Sequence, residues 1–367
     1  MVKTVLYAEK LYDNDKVERE VFGPDVRVVW RNVPNLLQLE DIDCADIDGL
    51  MVMRHAVTAE HLARFPKLAC VVRMGVGYDK IDRKAAAGRK VMVCNVPDYG
   101  TTEVADHALA LALSLRRGIA LHLEAQRRPQ PTPWSYVRDP LLRRNGVQTF
   151  GIVGLGRIGT AAALRAKAFQ FRVVAYDPYM PNGTELGVGV ERVGSLEALM
   201  EQTDTLSIHA PLTPETRGMI SRAMLERMPK GGVVVNTARG PIVDVDALAE
   251  LLKRGHLAGV GLDVIPVEPP VEPIPELLRA YRAREPWCEG RLIITPHSAF
   301  FTPEAWDDTR FKAAETMRAA LVGPRPQNVI TPEMFRRTDP SAPCRSRRRE
   351  RHRRPRSSRR WCSAPSR

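Results

Sequence analysis

The sequence predicts an α/β chain built on two parallel sheets, on three observations. Short apolar runs alternate with helical or polar stretches along most of its 367 residues. One of those runs ends in a glycine-rich turn that opens a helix. A long Ala- and Leu-rich stretch separates two such alternating series.

The first series holds strand candidates at Thr4 to Ala8, Val26 to Trp30, Gly49 to Met53 and Leu68 to Arg73. Glu103 to Glu124 follows, rich in Ala and Leu with no Pro and one Gly, and reads as a long helix leading into a second domain. The second series runs through Thr149 to Val153, Arg172 to Tyr176, Thr205 to Ile208, Val233 to Asn236, Val260 to Val264 and Leu292 to Thr295. Six such runs suffice for a doubly wound sheet. Another helix, Pro303 to Leu321, then precedes an extended return to the first domain. The expected organisation is one domain of residues 1–102 and 303–335, a second of residues 103–302 inserted within it, and an Arg-rich disordered tail at 336–367. The two crossing helices would act as hinges.

Thr149 to Val153 runs into Gly154-Leu155-Gly156-Arg157-Ile158-Gly159, and Asp177 lies eighteen residues past the last glycine. Glycines at this spacing permit a tight strand-to-helix turn, close approach of the backbone to a pyrophosphate, and close helix–strand packing. The free N–H groups of the helix start favour an anion. Asp177, at the tip of the next strand, can accept from both ribose hydroxyls and would repel a 2'-phosphate. The pattern therefore points to a Rossmann-type domain with NAD as cofactor, in preference to NADP.

The formal charge of +12 suggests a polyanion partner until its location is considered. Residues 336–367 hold thirteen arginines against Asp339 and Glu350, a net +11, which leaves +1 for the other 335 residues. A nucleic acid could bind only through this tail, by counterion release, and the tail could equally be an accident of the reading frame. An Arg, Ser and Pro segment with few apolar residues lacks the burial to offset its ordering entropy. The start has no signal-peptide pattern, and no apolar run reaches membrane-spanning length, about 18 residues. Cysteines 44, 70, 94, 288, 344 and 362 form no C-x-x-C pair or zinc spacing, so no metal is expected and a reducing cytoplasm fits.

Ligands of open parallel sheets bind at the carboxyl ends of the strands. Three polar residues leave the second sheet there: Arg239, Glu268 and His297. Hydride transfer to a 2-keto acid needs a cation for the carboxylate, a proton donor for the oxygen, and a partner for that donor. Arg239 can fork onto a carboxylate and polarise the carbonyl. His297 can deliver a proton as general acid and take it back as base. Glu268 can fix the imidazole tautomer and favour its protonated form. Plainer readings exist: a strand-end cap for Arg239, a turn histidine for His297, a solvated loop acid for Glu268. Their shared location favours the functional set.

With Val235-Asn236-Thr237-Ala238-Arg239-Gly240, Asp263 to Pro269 and Pro296-His297-Ser298-Ala299, the glycine motif resembles the D-isomer-specific 2-hydroxyacid dehydrogenases over about residues 1 to 332. Val72 to Asp79, Ala163 to Phe171 and Tyr176-Asp177-Pro178-Tyr179 are most similar to the branch containing the C-terminal-binding proteins. The resemblance implies a flavodoxin-like substrate domain around the Rossmann domain and a catalytic set of Arg239, Glu268 and His297. Implied cofactor contacts are Val104, Gly154, Gly156, Arg157, Ile158, Gly159, Asp177, His209, Ala210, Pro211, Thr216, Thr237, Ala238, Arg239, Asp263, His297 and Ala299. The loop Gly75-Val76-Gly77, with Arg73 behind it, would receive the substrate carboxylate alongside Arg239 and His297. A homodimer joined through the nucleotide domain is implied as well.

The sequence departs from that branch at Phe300 and Phe301, where a Trp is expected, and at Gln170, where a helix-terminating Gly is expected. The proline-rich stretch Glu268 to Gly290 reads as a loop that covers the cleft or decorates the surface. The reading is an NAD-dependent enzyme interconverting a small 2-keto acid and a D-2-hydroxy acid. The rivals are an NAD(H)-sensing dimeric binding protein of the C-terminal-binding-protein type, and formate or phosphite oxidation on the same scaffold. Phosphoglycerate is less expected, for want of a regulatory domain and a second basic cluster.

Overall fold

The computed structural model describes residues 2–333; the Arg-rich tail lies outside them. Strands β1 (Lys3–Tyr7), β2 (Val26–Trp30), β3 (Gly49–Val52), β4 (Cys70–Arg73) and β5 (Met92–Asn95) form one parallel sheet in the order β2-β1-β3-β4-β5. Strands β6 (Thr149–Val153), β7 (Arg172–Tyr176), β8 (Glu191–Arg192), β9 (Thr205–Ile208), β10 (Gly232–Asn236), β11 (Leu257–Leu262) and β12 (Leu292–Ile294) form a second, in the order β12-β11-β10-β9-β6-β7-β8. Its pairs are all parallel too. Every residue of β6, β9, β10 and β11 is buried, as expected of parallel strands covered on both faces by helices.

One face of the second sheet packs on the helices Leu196–Gln202 and Val245–Lys253, through Leu199, Leu248 and Leu252. The other packs on Thr101–Arg116 and Arg157–Ala168, through Leu111, Leu115, Ala162 and Ala166. Helix Pro303–Leu321 follows β12 in sequence yet packs on the first sheet. A Cβ on Gly49 of β3 would lie 2.6 Å from Met317 Sδ, so glycine lets this helix seat closely.

The long helix expected over Glu103 to Glu124 is two helices, Thr101–Arg116 and Ile119–Arg127. Gly118 between them takes φ +62°, a left-handed conformation that ends the first helix at little cost. Gln170 takes φ +68°, so the terminator expected at that position is left-handed without being glycine. Strand β11 begins three residues before Val260 and ends at Leu262. Its Gly259 and Gly261, which blunt the apolar signal, lie against Leu115, Leu141 and Leu111. Strands β5 and β8 were not expected, and the stretch read as a loop, Glu268 to Gly290, contains the helix Glu276–Ala283. After the last helix the chain returns to the first sheet, where Ile330 N donates to Val93 O at 2.8 Å. Among the described residues Cys44, Cys70, Cys94 and Cys288 are free and buried, and no helix is long and apolar enough to cross a membrane.

Candidate active site

In the second sheet the chain runs outward to β7 and β8 on one side of β6, then returns to β9 on the other. The crevice at the carboxyl ends of β6 and β9 is the switch point where open α/β sheets bind ligands. The glycine motif occupies it. Gly154 has φ +89°, and a Cβ there would lie 2.9 Å from Ala210 N. A Cβ on Gly159 would lie 2.0 Å from Gly154 O, so that glycine permits the helix to pack on its strand. A Cβ on Gly156 would meet no heavy atom within 4 Å. The middle glycine therefore faces open space, with Arg157 exposed and Ile158 half-buried beside it at the helix start.

The Asp177 carboxylate secures this turn from the next strand, taking Leu155 N on Oδ2 and Tyr179 N on Oδ1, both at 2.9 Å. Across the crevice, His209 bonds Ser207 Oγ at 2.8 Å, and burial pushes its pKa from 6.5 down to about 4. It is neutral at physiological pH. Ala210 and Pro211 lead into a turn closed by Thr216 Oγ1, which donates to Pro211 O at 2.6 Å. Thr237 Oγ1 is buried without a hydrogen-bond partner among the described residues. An open middle glycine, an acid at the strand tip and an orphaned buried hydroxyl fit a bound dinucleotide. Val104 stands in the first turn of the helix Thr101–Arg116.

The three expected catalytic residues follow successive neighbouring strands: Arg239 after β10, Glu268 after β11 and His297 after β12. Asn236, the last residue of β10, shapes the first loop by donating Nδ2 to Arg239 O and accepting Ala238 N on Oδ1, each at 3.0 Å. A Cβ on Gly240 would lie 2.0 Å from the backbone of Ile265, so the first two loops abut at a position open only to glycine. His297 Nδ1 lies 2.5 Å from Glu268 Oε2, while Glu268 Oε1 accepts Ile265 N at 2.9 Å. Burial raises the Glu268 pKa, but the hydrogen bond and charge of His297, with Ile265 N–H and Arg239, outweigh it and hold the carboxyl below its ordinary value. Glu268 is thus an anion on one edge of the imidazole, leaving Nε2 as the edge for a substrate.

Asp263, expected as a cofactor contact, holds the loop that carries His297. Its Oδ1 accepts Ser298 N at 2.9 Å and its Oδ2 accepts Ala299 N at 3.0 Å. Its own carbonyl accepts His297 N at 2.8 Å. These bonds stabilise a turn in which His297 has φ +54°, a left-handed conformation uncommon for a non-glycine residue.

The first sheet supplies the opposite wall. Arg73 ends β4 and its guanidinium lies under Gly75, where a Cβ would be 1.5 Å from Nη1. Burial lowers the Arg73 pKa, though guanidinium stays charged at neutral pH. Arg239 reaches Gly77 from the other side, where a Cβ would be 1.4 Å from its Nη2. Two guanidinium groups therefore flank Gly75-Val76-Gly77, and Asn95 Nδ2 bonds Val76 O at 2.7 Å. Asp79, two residues on, accepts Arg239 Nε at 3.0 Å. Sequence alone assigns Asp79 no role; its one local signal is an acid just past a glycine loop on the cleft. Phe300 completes the wall, with ring centroids 6.5 Å from His297 and 5.8 Å from Tyr99.

The family model for the NAD-binding domain of D-isomer-specific 2-hydroxyacid dehydrogenases matches residues 109–299, more than half of the chain. The chain belongs to that family. Over 322 residues the chain is 38% identical to the D-3-phosphoglycerate dehydrogenase of Mycobacterium leprae, a match covering 87% of the chain and 57% of that enzyme. It thus spans little more than half the length of that relative. Among solved structures it is similar to the TT0316 protein of Thermus thermophilus (31% identity, TM-score 0.73, covering 89% of this chain and 100% of that one). A D-lactate dehydrogenase from Aquifex aeolicus, solved with NAD and lactic acid, matches at 25% identity and TM-score 0.71, covering 86% of this chain and 95% of that one. The family assignment makes the second sheet an NAD-binding Rossmann domain.

Proposed function

We propose that the chain catalyses NAD-dependent interconversion of a small 2-keto acid and a D-2-hydroxy acid. The observation that carries the reading is the 2.5 Å contact of His297 Nδ1 with an ionised Glu268, beside a loop flanked by Arg73 and Arg239. When bound, NAD accepts or supplies the hydride. Arg239 and the Gly75–Gly77 loop would take the substrate carboxylate, and His297 would donate a proton to the keto oxygen in reduction and remove it in oxidation. Glu268 would hold the ring and favour its protonated form. Residues Gly154 to Gly159, Asp177, His209 to Pro211, Thr216, Thr237, Ala238 and Ala299, with Val104, would hold the dinucleotide. Asp177 favours NAD over NADP, since a 2'-phosphate would meet its charge.

Residues 1–102 with 303–335 would form the substrate domain and residues 103–302 the nucleotide domain. A homodimer is proposed through the nucleotide domain, because Trp134, Tyr136, Leu164 and Phe169 there are 48% exposed or more. The aromatic wall of Tyr99 and Phe300 suits a side chain with apolar surface. The name of the mycobacterial relative adds 3-phosphohydroxypyruvate to the candidates.

NADH and NADPH oxidation measured across glyoxylate, hydroxypyruvate, its 3-phosphate and larger apolar 2-keto acids tests the reading. Turnover of at least one with NADH, and poor turnover with NADPH, is the expected result. Tight NADH binding with no turnover of any would favour a nucleotide-sensing binding protein instead.

A further inference from the structure

Resting on that reading, we infer that His107 and Thr295 are positioning residues for His297, acting through Asp263. His107 lies on the helix Thr101–Arg116, which leads from the first sheet to the second, and Thr295 directly follows β12. Thr295 Oγ1 donates to Asp263 Oδ1 at 2.6 Å and lies 2.9 Å from His107 Nε2. A hydroxyl has one proton. Since Thr295 spends it on the carboxylate, His107 must supply a proton on Nε2, and the chain of donors runs His107 to Thr295 to Asp263.

Asp263 is the junction of that chain. Its side chain is 1% exposed, and its oxygens collect the Thr295 hydroxyl and the Ser298 and Ala299 amides. His107 Nε2 is itself 3.8 Å from Asp263 Oδ1. The only main-chain link needed is the turn 295–299, where His297 N also donates to Thr295 O at 3.1 Å. A left-handed His297 persists only if its surroundings over-determine it. Deleting one donor loosens the carboxylate, then the two amides, and with them the direction of the imidazole. The helix is thereby tied to the loop of the proton donor by side chains that need not touch substrate.

The experiment compares Thr295→Val, Thr295→Ser, His107→Phe and His107→Gln with the wild type. Thr295→Val and His107→Phe are expected to lower kcat about 10- to 100-fold, the scale of a misplaced reacting group, with KM and NADH affinity changed far less. Thr295→Ser and His107→Gln keep the donors and are expected to recover most of that loss. Equal kcat in Thr295→Val and wild type overturns the inference, as does a Thr295→Ser variant no better than Thr295→Val. Amide exchange at Ser298 and Ala299, followed by NMR in the NADH complex, provides a readout independent of turnover. Faster exchange in Thr295→Val, restored in Thr295→Ser, is expected, and unchanged exchange overturns the inference. An inactive wild type would count against the proposed reaction, and the exchange data would still decide the positioning role.

Discussion

Asp79 and Arg239 form an ion pair, Oδ1 to Nε at 3.0 Å, that joins the loop after β4 in the first sheet to the loop after β10 in the second. The pair leaves the terminal nitrogens of Arg239 for Ala238 O, at 2.7 Å from Nη1, and for the loop at Gly77. Each side chain is 22% exposed, so the contact is better shielded than a surface salt bridge.

Asp79→Asn is expected to lower kcat/KM about 10- to 100-fold through a misdirected guanidinium, mostly in KM. Steady-state kinetics with NADH saturating check this. Burial raises the Asp79 pKa, yet the charge and hydrogen bond of Arg239 prevail and hold it below 3.8. A depressed carboxyl pKa stabilises the fold above its unfolded value and loses that contribution as pH falls through the folded value. Wild type and Asp79→Asn should therefore differ in denaturant stability at pH 7 and converge at acid pH below 3.8.

Glu268→Gln removes the charge that His297 Nδ1 contacts at 2.5 Å. In keto-acid reduction kcat is expected to fall about 10- to 100-fold, the scale of a misplaced reacting group, with KM changed far less. Steady-state kinetics with NADH saturating check this, and an unchanged kcat would contradict the role given to the carboxylate.

His209 is the reverse of the usual histidine case. Its folded pKa of about 4 lies below the ordinary 6.5, so the unfolded chain binds the proton first as pH falls. Its stabilising contribution is full above pH 6.5 and is lost progressively down to pH 4. Between pH 7 and 5 this amounts to about 2 kcal/mol at 1.36 kcal/mol per pH unit. Chemical denaturation at both pH values should show a smaller acid loss in His209→Gln than in wild type.

Much of the fold was legible because parallel strands buried on both faces read as apolar runs, and β2, β6, β7 and β9 have the residues expected from sequence. β11 was misplaced because Gly259 and Gly261 make room for the crossing helix, a tertiary demand that breaks the apolar pattern. The division at Gly118 was missed because one glycine in an Ala- and Leu-rich run does not announce its φ. At the site, strand-end position was enough to gather Arg239, Glu268 and His297. Asp79 and His107 act across elements far apart in the chain, and nothing local marks their partners. The same holds for Asp263, whose carboxylate takes one hydroxyl and two backbone amides from residues 295 to 299.

The most direct measurement of the central claim is turnover of His297→Ala with its best keto acid, alongside NADH affinity. Loss of general acid catalysis predicts kcat lower by about 10²- to 10⁴-fold with NADH binding retained. A kcat within a few fold of wild type would contradict the role assigned to the imidazole beside Glu268.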